Sequence, residues 1–179
     1  MIVFRRPVTG LSERALTRFT ARAQRAIGVR GEVNILVAGN EELQALNSRF
    51  RGKHKATDVL SFPAMARARG IVGDVAISAD MAASNAARLG HATMEELKIL
   101  VVHGLLHLAG YDHEQDQGEM ARRELLLRKR LGLPSGLIER YQLQNRAKPK
   151  AFVVTRKSVA LKGRRRTRAA PGIAGQKTR

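Results

Sequence analysis

Residues 93–110, "TMEELKILVVHGLLHLAG", constrain this chain more than any other stretch. They read as one helix. Thr93 with Glu96 three residues later forms a capping box, and Gly110 supplies a C-terminal cap. Between these ends Ile99 to Val102, and then Leu105, Leu106 and Leu108, leave almost no polar face. Such a helix must be buried, with the rest of the chain wrapped around it. Yet it carries His103 and His107, and an unpartnered polar ring in a core is costly.

A metal resolves that conflict. Residues four apart on a helix lie about 40° apart around its axis, so His103 and His107 point the same way, one turn apart. Gly110 can take the left-handed conformation that stops the helix. The chain then turns back and brings His113 to the same place. Three of the five histidines thus fall within eleven residues, "HGLLHLAGYDH". They predict three neutral imidazoles around one metal with an open fourth position. Zinc is the leading ion, although imidazole also suits nickel, copper and iron. His54 and His91 have no such context and read as loop or surface residues. Asp112, Glu114 and Asp116 crowd the third histidine. One of them could accept a hydrogen bond from a ligand imidazole, although such acids more often mark the start of the following helix.

The histidine and glycine spacing resembles that of the metzincin zinc proteases, but their catalytic glutamate is replaced here by Gly104. The glycine either admits a neighbouring strand or simply removes the base. A three-histidine metal can acidify water without that base, so hydrolysis remains open while standard protease chemistry does not.

The rest of the chain predicts an α+β domain, a small sheet packed with helices around the central buried helix. An amphipathic helix begins at a Ser12 cap, ends at Gly28, and faces inward through Leu11, Ala15, Phe19, Ala23 and Ile27. "EVNILVAG" alternates as a strand, and "NEELQALNSRF" follows as a helix capped by Asn40. "DVLSF" and "GDVAIS" are short strands, and "SADMAASNAARLG" is a helix of small residues. "EQDQGEMARRELLLRKRLG" forms the last clear helix, with Met120, Leu125, Leu127 and Leu131 inward, and residues 135–143 are a candidate for one further helical turn or two. The predicted order is α-β-α-β-β-α-α-α, with a domain over residues 1–144 and a basic, disordered tail over 145–179.

Charge points to the partner. Twelve of the 33 Lys and Arg, and none of the 15 Asp and Glu, lie in residues 141–179, so the tail carries +12 of the formal +18. A polyanion such as nucleic acid is the natural counterpart. There is no cysteine, so disulfides and thiolate metal sites are excluded. No apolar run is long enough for a signal peptide or a membrane span, which predicts a soluble cytoplasmic protein. Beside a strand, "LNSRFRGKHKATDVLSFP" holds Arg49, Arg51, Lys53 and Lys55, residues suited to phosphate. Metal, basic loop and basic tail together favour a phosphodiester substrate over a peptide.

"LNSRFRGKHKATDVLSFP", "GDVAIS" and "HGLLHLAGYDHEQD", in that order, resemble the YbeY-type endoribonuclease family, the bacterial rRNA maturation factors. The likeness covers about residues 32–140. It implies a zinc-dependent, single-strand-specific endoribonuclease acting in 16S rRNA 3′-end maturation and ribosome quality control. It implies His103, His107 and His113 as zinc ligands and Arg51 as the functional arginine, with Asp58 and Asp74 as structural acids. Ribosomal proteins and an assembly GTPase are the partners it suggests. Two positions depart from the family pattern, His54 and Ala56, where an acid and a proline are usual. Two other readings compete: a zinc peptidase of altered mechanism, and a non-catalytic ribosome-assembly module whose metal is structural.

Overall fold

Four strands form one mixed sheet in the order β1-β2-β4-β3. They are β1 (Ile2–Phe4), β2 (Glu32–Ala38), β3 (Val59–Pro63) and β4 (Ile71–Ser78). β1 and β4 each run parallel to β2, with Ile2 opposite Ile35 and Ile35 opposite Val75. β3 returns antiparallel to β4, with Val59 opposite Ile77. The computed structural model describes residues 1–8, 12–65 and 70–134. Leu11, residues 135–143 and the basic tail lie outside the described residues.

Five helices join the strands: α1 (Glu13–Ile27), α2 (Asn40–Arg51), α3 (Ala79–Leu89), α4 (Thr93–Leu108) and α5 (Glu119–Leu131). Alternation decides which side of the sheet each strand residue faces. Val33, Ile35, Val37, Val59, Val75 and Ile77 join Leu16, Phe19, Leu97, Val101 and Leu105 in the main core. Leu60 and Ala76 point to the other face, where α2 covers them with Leu43. α4 packs against α1, α3, α5, β3 and β4. The fold is therefore the expected α+β arrangement around a buried central helix.

Four local expectations need correction. β1 was not expected, because three residues are too few to show a period. α2 is capped by Gly39, and Asn40 is instead tied to the start of α3. Its backbone N–H donates to Asp80 Oδ2 (2.9 Å), and its side-chain oxygen accepts from Ser78 Oγ (2.7 Å). Only the carboxylate half of the expected capping box forms on α4, and it lies one residue earlier. Ala92 is the N-cap, and its N–H donates to Glu95 Oε2 (3.0 Å), which frees Glu96 to point inward. α5 starts at Glu119, so residues 114–118 are turns, and Leu125 faces solvent at 40% exposure.

Candidate metal centre

The last two turns of α4 aim both histidines at one point, and the turn that follows brings the third. Gly110 takes φ 92°, a conformation that costs glycine little. Its N–H donates to His107 O (3.0 Å) and the Tyr111 N–H to Leu106 O (3.1 Å), which is the bond pattern of a Schellman motif. The chain reverses there and sets His113 beside the other two. Ring centroids are 4.8 Å apart for His103 and His107, 5.2 Å for His103 and His113, and 5.1 Å for His107 and His113. One ring nitrogen from each lies within 4.8 Å of the others, so the three can hold a metal ion.

The finer geometry agrees. His103 Nε2 and His107 Nε2 are 3.1 Å apart. Two nitrogens bound tetrahedrally to one zinc at its usual bond length lie ~3.3 Å apart. The opposite nitrogen of these two rings is occupied. His107 Nδ1 donates to Tyr111 O (2.9 Å), and His103 Nδ1 is 3.0 Å from Glu124 Oε2. Such bonds fix the tautomer and turn the Nε2 lone pairs to the centre. Among the described residues His113 Nδ1 is buried with no hydrogen-bond partner, an orphaned nitrogen that a metal would satisfy.

Burial and the neighbouring imidazoles hold His107 down at about 3, and burial with His103 lowers His113 as well. Both are therefore neutral, ligand-ready rings near neutral pH. The same shift makes the fold sensitive to acid. The unfolded chain takes up the His107 proton near pH 6.5, while the folded chain resists it until about 3. Stability of the metal-free protein should thus be complete above about pH 6.5 and fall as pH drops toward 3. Glu96, whose carboxyl burial pushes up, offsets part of that loss across the carboxylate range. Thermal melts of chelator-treated protein should show a midpoint that declines between pH 7 and pH 5. A level midpoint across that interval would contradict it.

The carboxylate partner of His103 is Glu124 on α5, not one of the acids beside His113. Asp112 accepts from the Glu114 N–H (3.0 Å), and Asp116 accepts from the N–H groups of Gly118 and Met120 (both 2.7 Å). They order the turn and the start of α5, as helix-terminal acids do. Sequence reasoning missed Glu124. Its signal was position: Met120, Glu124, Leu127, Arg128 and Leu131 form one buried stripe of α5. His91 also differs from expectation. Its side chain is only 6% exposed, with Nε2 3.2 Å from Glu96 Oε2.

Gly104 packs the helix on the sheet. A Cβ there would stand 2.6 Å from Val75 Cγ1 and 3.2 Å from Ser61 Oγ. Ser61 Oγ also donates to Gly104 O (3.2 Å). A glutamate at this position would point into β3 and β4. Gly104→Ala should therefore cost about 1–3 kcal/mol by overpacking, read as a lower midpoint in urea unfolding. Wild-type stability of that variant would show the contact to be slack.

The basic segment sits at the end of α2. Phe50 packs edge-on to Phe62 of β3, with centroids 5.1 Å apart, and Arg49 lies over the Phe50 ring. Arg51 is half-buried in the last turn. Burial lowers its pKa, and the Glu114 carboxylate, next to His113, works against that. The Arg51 charge is thus felt at Glu114, in the loop that carries the third histidine. Lys53 and Lys55 are exposed on the following loop. That loop is pinned to α2: Gln44 Nε2 donates to His54 O (3.1 Å), Asn47 Nδ2 to Lys55 O (2.7 Å), and Ser48 Oγ lies 2.8 Å from His54 Nδ1. Asp58 Oδ1 accepts from the Val59 N–H (3.0 Å), and Asp74 accepts from Asn34 across β2 and β4 (2.9 Å).

The profile of a protein family described as endoribonuclease YbeY matches residues 6–132. The chain belongs to that family. The endoribonuclease YbeY of Koribacter versatilis is 55% identical over 140 residues, 78% of this chain and 91% of that protein. The one of Solibacter usitatus is 45% identical over 141 residues, 79% of this chain and 94% of its own. A protein of Thermotoga maritima whose structure was solved in solution is similar with a TM-score of 0.52 at 25% identity, covering 83% of this chain and 97% of the other. Membership in the YbeY family favours the ribonuclease reading over the peptidase. Among the described residues no helix is long and apolar enough to cross a membrane.

Proposed function

We propose that this member of the YbeY family is a zinc-dependent endoribonuclease that cuts single-stranded RNA. The observation that carries the reading is the convergence of His103, His107 and His113, two of them with Nδ1 already engaged and Nε2 free for a metal. All three would bind the ion. When bound, it supplies a Lewis acid that acidifies water and polarises a phosphoryl oxygen. Zinc fits three neutral nitrogen donors and needs no thiolate.

Arg51 acts on the phosphate. Attack at phosphorus builds negative charge on the equatorial oxygens, and a guanidinium aimed there favours the transition state over the ground state. Arg49, Lys53 and Lys55 line the approach as cations for the flanking phosphates. With no carboxylate at position 104, the attacking oxygen is either an activated water or the RNA's own 2′-hydroxyl. The substrate we assign is rRNA on or near the ribosome, in 16S 3′-end maturation and quality control, in the cytoplasm. Ribosomal proteins and an assembly GTPase are the expected company.

The test uses purified protein, with zinc and after chelation, on labelled single-stranded RNA and on casein. Metal-dependent RNA cutting is the expected result. Casein cleavage would establish a peptidase instead, and RNA binding without cutting would establish an assembly module with a structural metal.

A further inference from the structure

α5 places Glu124 and Arg128 on successive turns, and both are inside, at 8% and 5% exposure. A helix that already buries Met120, Leu127 and Leu131 gains nothing hydrophobic from either residue. Two buried charges persist only where they are paired and hydrogen-bonded. Their pairing leads to the metal centre. Glu124 divides its carboxylate: Oε2 is 3.0 Å from His103 Nδ1, and Oε1 accepts from Arg128 Nη2. Arg128 in turn acts electrostatically on Glu96 of α4, which is 2% exposed. Behind Glu96 stands His91. Acid and base alternate inward from the α3–α4 turn: His91, Glu96, Arg128, Glu124, His103.

A carboxylate tied through one oxygen can still rotate about its last bond. Tied through both, it cannot. Glu124 is held in this way, one oxygen on His103 and the other on Arg128.

We propose that Arg128 is a positioning residue for the metal centre. It fixes the Glu124 carboxylate in the orientation that receives the His103 Nδ1–H, and so keeps His103 Nε2 turned toward the ion beside His107. Glu96, with His91 beside it, acts on Arg128 through its charge alone. The inference rests on the three histidines being metal ligands.

The test is zinc affinity by competition with a chelating fluorophore, and the d–d spectrum of the cobalt(II)-loaded protein, which reports ligand geometry. Glu124→Gln should bind zinc roughly 10–100-fold more weakly, the range for groups that orient a ligand histidine. Arg128→Met strands two buried acids and can fail to fold. Arg128→Met combined with Glu96→Gln removes the charge on both sides. That double variant should lose about tenfold in affinity and change the cobalt spectrum, while Arg128→Lys restores most of the loss. Because Arg128 acts through Glu124, adding Arg128→Met to Glu124→Gln should weaken binding less than about threefold further. Wild-type affinity in the Arg128→Met/Glu96→Gln protein, or additive losses with Glu124→Gln, would overturn the proposal. A wild-type protein that binds no zinc would instead overturn the metal reading itself.

Discussion

His107→Ala should yield a folded protein without stoichiometric metal. His107 is the central ligand of the proposed set, 3% exposed, with its Nε2 3.1 Å from that of His103. Alanine removes one of three bonds and leaves an apolar void where a ligand stood. Two imidazoles from neighbouring segments do not hold a divalent ion against buffer. His103→Ala should behave alike. His113→Ala should bind weakly, by orders of magnitude, since the helix still offers a pair one turn apart. Elemental analysis after gel filtration reads all three. Full metal content in the His107→Ala protein would remove that residue from the site.

Arg51→Ala should slow the cleavage step on the order of 10²-fold while RNA binding changes little, by analogy with the loss of one preorganised oxyanion donor. Arg51 is half-buried at the end of α2, and Phe50 against Phe62 fixes the turn that carries it. A donor held this way needs no reorganisation as charge develops. Arg51→Lys keeps the charge but loses the planar fork, so it should stay impaired. Arg49→Ala should be milder, because Arg49 is exposed and lies over a ring. Single-turnover rates at saturating RNA decide the matter. A wild-type rate for Arg51→Ala would remove it from the chemistry.

The central helix and the gathering of three histidines were legible in the sequence because both are local. An all-apolar helix announces burial, and ligand spacing on one helix is a matter of turn angle. Glu124 was not legible in the same way. Glu124 and Arg128 stand four apart on a helix rich in charge, which reads as a solvated pair, and only the packing of α5 on α4 turns it inward. The same packing exposes Leu125. Glu95 and Glu96 are adjacent, so the sequence offered two capping acids one residue apart. The fold gave one to the cap and the other to His91. β1 was too short to read, and its pairing with β2 is settled only by the sheet.

The three histidines come from eleven consecutive residues, whereas Arg51 arrives from a helix that precedes them by half a hundred positions. The two halves of the proposed centre therefore answer to different steps in the life of the chain. Closing a short loop costs little entropy, so the histidine half needs only α4, its turn and the neighbouring α5 that orients His103. The arginine half waits for the sheet, because α2 packs on β3 and β4, which must first pair. On the proposed function, a partly opened molecule is expected to hold an ion while cutting nothing. Metal content and nuclease competence should then be separable on the clock of folding, with the long-range docking of one helix expected as the later event.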